Sequence, residues 1–381
     1  MGYNNNNRKK LNVGIIVFLI IMVAVALLCW GCGDSSPVGD EPQDKQVVQE
    51  QEPPQEWTLV ANGDLMLSRR VAVAMEENGI FYPFEQMAPL LQDADLTFGN
   101  LETSLSQRGT PIPGKGIWFR CDPVAAQGLK EAGYDVLSIA NNHILDYDSP
   151  ALVDTLNVLR EQGIDPVGAG EDLDEAVQPV IKEVKQQKIA FIAATEMADI
   201  FWDYQYPRTF EAKPDQPGVQ KYDADQLVET VSSLRDQVDV IVVSLHWGTE
   251  YSDYPEVYQK ETAHRLVDAG ANLIIGNHPH CLQGVEVYNG AFIAYSLGNF
   301  VYDKQRRPKC QETVVVKTFF RENELQKVEL HPVMINAEQP RPAEKNDADR
   351  ILQKMMNLSS ELDTVLDINE NQGKIIVNKG D

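Results

Sequence analysis

Four of the six histidines stand where a short apolar run gives way to a polar cluster. No other feature restricts the fold as much. Residues 134–139 precede Ala140-Asn141-Asn142-His143, 238–244 precede Leu245-His246-Trp247-Gly248, and 271–275 precede Gly276-Asn277-His278-Pro279-His280. The runs are short and largely β-branched or aliphatic, the pattern of buried strands in an α/β protein. In open α/β sheets, ligands bind where such strands end. Histidine and asparagine delivered from several strand ends can converge, and imidazole, carboxylate and amide oxygen together suit transition metals.

The surrounding pattern supports that class. From Trp57 the chain alternates: a strand over 57–62, a helix over 68–78, a strand over 96–98, and helices over 123–132 and 151–162 ended by Gly133 and Gly163. A hairpin follows over 180–184 and 189–193, then helices over 225–237 and 257–269. Beyond His280 the character shifts. Asn289-Gly290 is a primed-turn signature between 284–288 and 291–295, and 313–320 pairs with 326–335. A helix over 348–363 and a strand over 374–377 close the chain. An α/β start with a mostly β end, without repeats, predicts two sheets flanked by helices rather than one parallel sheet.

The N-terminus reads as an address. Arg8-Lys9-Lys10 precede an uncharged apolar stretch, 13–30, of about the length that spans a bilayer. The basic flank stays in the cytoplasm, so the bulk of the chain is placed at the cell membrane on the extracytoplasmic face. Gly31-Cys32-Gly33 resembles a lipoprotein cleavage site, with Cys29 where an aliphatic residue is usual. A retained transmembrane anchor and a lipid on Cys32 both remain open. The expected organisation is anchor or signal 1–32, acidic and proline-bearing spacer 33–56, folded domain 57–365 and tail 366–381.

Charge and cysteine narrow the partners. The net charge is −24. The first 31 residues contribute only three cations, so the remainder carries −27, which argues against nucleic acid. Cys121, Cys281 and Cys310 follow no zinc or disulfide framework, although one disulfide is compatible with them. Cys281 beside His280 reads as a small buried thiol.

Two further clusters, Asn62-Gly63-Asp64-Leu65-Met66 and Gly99-Asn100-Leu101-Glu102, end earlier runs. Alone, such acids cap helices or finish turns. In order with the histidine clusters they form the ligand set of a two-metal hydrolase. The sequence resembles the CapA family of capsule-synthesis proteins, named for poly-γ-glutamate capsules. The resemblance rests on Gly63-Asp64-Leu65-Met66-Leu67-Ser68-Arg69, Asn100-Leu101-Glu102, Ala140-Asn141-Asn142-His143-Ile144-Leu145-Asp146-Tyr147, His246-Trp247-Gly248-Thr249-Glu250-Tyr251, His278-Pro279-His280 and Tyr295-Ser296-Leu297-Gly298-Asn299-Phe300. It covers roughly 57–363.

The resemblance implies a calcineurin-like metallophosphoesterase fold, an α/β four-layer αββα sandwich. It also implies one or two divalent ions of the manganese, iron or zinc class. Glu102 takes the bridging position, Asn142, His246 and His278 complete one metal, and Asp64 and His280 join Glu102 on the other. His143 matches the substrate-facing histidine that can protonate a leaving oxygen, with Asp146 orienting it and Arg69 holding a phosphate or carboxylate. The chain departs from the pattern at Met66, where metallophosphoesterases usually carry a histidine, and at Glu102 for the usual aspartate. Asp148 stands where glycine is usual, and Asn277 replaces a common histidine.

Two functions fit. One is a surface-tethered metal-dependent hydrolase of phosphoesters or amides, inside or outside capsule synthesis. The other is a non-catalytic partner of a membrane synthase or exporter that guides an anionic polymer. The other motifs read as structural: Trp247 as packing, Ser296 as a turn residue without a nucleophile motif, and His264 and His331 as ordinary histidines.

Overall fold

The computed structural model describes residues 55–199, 209–303, 305–369 and 372–377. The anchor stretch 13–30, the Cys32 motif and nearly all of the spacer lie outside them. Among the described residues no helix is long and apolar enough to cross a membrane.

The order of apolar residues along the strands builds four layers. In Glu56–Leu65, the side chains of Trp57, Leu59 and Ala61 join Leu96 and Phe98 on one face of a ten-stranded mixed sheet. They meet Ile189, Phe191, Ala193, Val240, Val242, Leu273 and Ile275 from a six-stranded mixed sheet. Phe98 and Phe191 stack across this interface at 5.5 Å, worth about 0.5–1.5 kcal/mol beyond the area they bury. The alternate residues point outward. Val60, Leu137 and Ile139 pack under the helices Arg69–Asn78, Ala125–Ala132 and Asp148–Glu161. Ile192, Val243, Leu245 and Ile274 pack under Ala224–Leu234 and Val257–Ala269. The period of two along each strand therefore supplies both inner and outer layers, and the α/β sandwich expected from the sequence is the one found.

Several boundaries differ for physical reasons. Glu56–Leu65 runs past the glycine expected to end it, with a register irregularity between Ala61 and Asp64. A Cβ on Gly63 would lie 1.9 Å from the Gly298 carbonyl oxygen, so glycine is needed for close approach and not as a breaker. Asp148 adopts φ 61, a left-handed conformation that explains why glycine suits that place. The fold also continues past 365: Asp367–Asn369 and Gln372–Ile376 extend the large sheet, the latter pairing with Glu324–Asn336. Residues 366–381, assigned to a tail apart from the strand expected over 374–377, thus add two strands to the large sheet, with Asp367–Asn369 at its edge.

The parallel strands of both sheets end on one side. Their register sets Asp64 opposite Asn100 and Asn299, and His246 opposite Asn277.

Candidate metal centre

Every expected ligand arrives at that common edge. Asp64, Asn100, His246 and Asn277 are in the last residues of their strands, and Glu102, Asn142, His143, His278 and His280 are in the loops just beyond. All are at most 6% exposed. His278 and His280 hold φ values of 95 and 56, backbone strain of order 1–3 kcal/mol each that persists only where surrounding structure fixes it.

Two sets of donors share Glu102. Asp64, Glu102 and His280 offer ligand atoms all within 4.8 Å of one another. His280 Nδ1 lies 3.4 Å from Asp64 Oδ2 and 2.9 Å from Asn299 Oδ1. On the other side, His246 Nε2 lies 2.9 Å from Asn142 Oδ1, 3.2 Å from His278 Nδ1 and 3.7 Å from Glu102 Oε1. Asn100 Nδ2 donates to Asp64 Oδ1 at 2.8 Å. Glu102 differs from its neighbours, because both of its carboxylate oxygens are buried without a hydrogen-bond partner.

The electrostatics follow from that burial. Desolvation, then the Asp64 charge, raises the Glu102 carboxyl well above its ordinary range. Desolvation lowers His246 far below the usual imidazole value and His278 to about 3, with neighbouring histidines adding to both shifts. Burial also pulls on His280, but Glu102 and Asp64 outweigh it and lift the ring to about 9. In the metal-free site a proton on Glu102 and a charged His280 ring thus stand in for positive charge that the donor set otherwise lacks. Buried polar and charged atoms are costly without partners, and oxygen with neutral nitrogen is a donor set for a divalent transition ion. The residues fit a metal.

Beside this centre sits a second triad. His143 Nδ1 lies 2.6 Å from Asp146 Oδ2 and 3.3 Å from Lys115 Nζ. Lys115 donates to Asp146 Oδ1 and to the Asn142 carbonyl oxygen, and the Phe119 N–H donates to Asp146 Oδ2 at 2.6 Å. The Phe119 ring stacks on His143 at 3.9 Å. Burial, then Lys115, holds His143 well below the ordinary imidazole range. Burial raises Asp146 to about 7 against the pull of Lys115. With Nδ1 engaged, Nε2 is the nitrogen left to meet a ligand.

Other expectations resolve individually. Arg69 gives its guanidinium to Asp303, Nε at 2.9 Å and Nη2 at 2.8 Å, so its charge is already paired. Met66 is buried, its sulfur accepting from the Ser68 N–H at 3.2 Å. Cys121, Cys281 and Cys310 are free thiols. Burial pushes Cys281 up to about 11, and its Sγ donates to the Ser252 carbonyl oxygen. Trp247 and Ser296 are buried structural residues, Nε1 donating to the Tyr295 carbonyl oxygen and Oγ to that of Cys281. His264 is held by Glu286 at 2.8 Å and stacks on Tyr288. Sequence reasoning missed Lys115, whose sole signal is a lysine between two glycines, and the supporting roles of Asn100 and Asn299. It also missed Tyr302, whose buried ring packs on His280 at 5.4 Å.

The family model described as bacterial capsule synthesis protein PGA_cap matches residues 58–304. The chain belongs to that family. It is 32% identical to the PGA biosynthesis protein CapA of Bacillus subtilis (strain 168) over 74% of this chain and 73% of that protein. It is 31% identical to the capsule biosynthesis protein CapA of Bacillus anthracis over 84% and 79% respectively. Among solved structures, a hypothetical protein from Thermus thermophilus overlays with a TM-score of 0.43 at 13% identity, covering 72% of this chain and 98% of that one.

Proposed function

We propose that this PGA_cap family member is a cell-surface-anchored protein of capsular poly-γ-glutamate synthesis or export, carrying a divalent-metal, hydrolase-type site. The observation that carries the metal reading is Glu102, buried with both oxygens unpartnered between the Asp64–His280 and the His246–His278–Asn142 donors. Bound there, one or two ions of the manganese, iron or zinc class would supply Lewis acidity and a lowered water pKa. The capsule setting is supported by the names of the two Bacillus relatives. The anchor reading rests on 13–30 and Cys32.

In this reading the chain's own residues have distinct tasks. Asp64, Glu102, Asn142, His246, His278 and His280 hold the metal, with Asn100 and Asn299 fixing Asp64 and His280. Asp146 accepts from His143 Nδ1–H and directs Nε2 toward the substrate. Burial and Lys115 oppose an imidazolium at His143, so proton donation to a leaving oxygen requires a nearby anion to restore its proton affinity. A bound phosphate or carboxylate supplies that anion.

A second reading, a polymer-guiding subunit without turnover, is favoured by the pairing of Arg69 with Asp303 and by the low proton affinity of His143. One experiment separates the readings. The purified chain is analysed for metal and then assayed on aryl phosphates and γ-glutamyl amides. The hydrolase reading expects divalent metal that His246→Ala and His278→Ala each largely remove. It also expects activity that His143→Ala cuts by about 10²–10⁴-fold on substrates with poor leaving groups. A metal-loaded protein inactive on both substrates leaves only the guiding role.

A further inference from the structure

In so acidic a protein the cations near the metal centre are nearly all engaged. Lys115 is held by Asp146, Arg69 by Asp303, and Lys309 by Asp253 at 2.9 Å. Arg120, next to Phe119, is turned to the Tyr147 ring and the Arg108 carbonyl oxygen. Arg307 is different. It is exposed, has no carboxylate partner among the described residues, and places its guanidinium 4.3 Å from the centre of the Tyr251 ring. That ring faces His280, with centroids 6.1 Å apart.

Two routes tie Arg307 to the metal loop. Tyr251, at φ 65, donates its N–H to the Pro279 carbonyl oxygen at 2.8 Å, between His278 and His280, and its own carbonyl accepts from Lys309 Nζ. The Arg307 carbonyl accepts from the Cys310 N–H at 3.0 Å. The Cys310 carbonyl in turn accepts from Asn299 Nδ2 at 3.1 Å, and Asn299 Oδ1 holds His280. A guanidinium stacked on a tyrosine is oriented, yet its N–H edge stays available for planar oxyanions. The positive charge that a substrate polyanion needs is therefore positioned beside the centre rather than inside it.

We propose that Arg307, stacked on Tyr251, forms an anion subsite that binds a carboxylate or phosphate group of the substrate next to the metal centre. This rests on the site reading above, and it gives the substrate class as an extended oxyanion-bearing chain with one group at the metals and a neighbouring group on Arg307. The subsite makes bidentate hydrogen bonds to that neighbour and no covalent step.

The test uses the full-length protein in detergent at fixed ionic strength. Binding of a short fluorescein-labelled poly-γ-glutamate is followed by anisotropy, with inorganic phosphate as competitor, and metal content is measured on the same samples. Arg307→Ala should weaken polymer binding about tenfold, of the order of one charge-assisted contact. Arg307→Lys should recover only part of it, lacking the planar stack. The exposed neighbour variant Arg306→Ala should stay within about twofold of wild type, and metal content should not change in any of the three. A weakening confined to polymer assigns carboxylate, and one confined to phosphate competition assigns phosphoester. Wild-type affinity for both probes in Arg307→Ala, or no binding of either probe by wild type, overturns the subsite. Absence of metal with Arg307-dependent binding intact overturns the metal reading and leaves the subsite standing.

Discussion

The Asp64–Glu102–His280 cluster and the Lys115–Asp146–His143 cluster are neighbours built from similar parts, yet they are balanced differently. Both are buried, and both join histidine to carboxylate. In the second, Asp146 has a lysine, an imidazole and a backbone N–H on its two oxygens, so the cluster is complete within the chain. In the first, Glu102 accepts nothing. A carboxylate costs several kcal/mol to bury unless paired, so a cluster short of charge marks where a cation belongs. A balanced cluster marks where geometry is held. The difference predicts opposite responses to the same kind of substitution.

Metal content should show the largest effect. Glu102→Ala should lower metal affinity by more than the roughly ten- to hundredfold typical of losing an outer-shell partner, because both donor sets lose a shared ligand. Asp146→Ala should leave metal affinity nearly unchanged, because Asp146 bonds His143, Lys115 and the Phe119 N–H and none of the expected ligands. Metal analysis after dialysis against graded chelator measures both. Equal losses in the two variants would erase the distinction between the clusters.

Stability is the next contrast. Lys115→Met leaves Asp146 buried without its cation, which should cost about 3–5 kcal/mol, the usual penalty for breaking a buried pair. The double variant Lys115→Met/Asp146→Asn should recover much of it in denaturant unfolding. Glu102→Gln should act the other way in the metal-free protein, raising stability by about 1–3 kcal/mol, because the buried wild-type carboxyl must either go unpaired or take up a proton that the unfolded chain releases. With metal present the sign should reverse, since the variant forfeits stabilisation by ligand binding.

The first cluster was legible in the sequence and the second only partly so. Asp64, Glu102, His246, His278 and His280 each stand at an abrupt change from apolar to polar, because strands end where ligands begin. His143 and Asp146 share a loop, three residues apart. Lys115 lies in a glycine-flanked segment whose approach to Asp146 depends on tertiary packing. Arg69 looked free because its partner, Asp303, is 234 residues away in sequence. The layered fold was readable from the alternation of apolar residues. The last strand, expected over 374–377, runs Gln372–Ile376, whereas the edge strand Asp367–Asn369 was harder, since a short edge strand buries little and carries weak alternation. Arg307 carries no sequence signal, because an unpaired surface arginine is ordinary until Tyr251 and His280 are seen beneath it.

The smallest effect expected is in the pH dependence of stability, and its window separates the clusters, since Asp146 is raised only to about 7 and His280 to about 9. His280 in the metal-free fold is raised to about 9, above the ordinary imidazole value of 6.5. The folded state therefore holds a proton that the unfolded chain releases. That contribution is fully present below about pH 6.5 and is lost as pH rises through 9. Glu102, also raised, works in the same direction from its ordinary value upward. His278, lowered to about 3, opposes them only on the acid side, where stability falls as pH drops from 6.5 toward 3. Thermal unfolding of the metal-free protein should therefore show a midpoint that declines between about pH 6.5 and 9, and His280→Gln should flatten that decline. Metal loading should flatten it too, because a bound cation replaces the proton as the partner of the two carboxylates. Lys115→Met/Asp146→Asn should leave the slope contributed by His280 in place. A metal-free midpoint that rises across the same window would mean that the carboxylates of the first cluster are already compensated, and that the two clusters do not differ in charge balance.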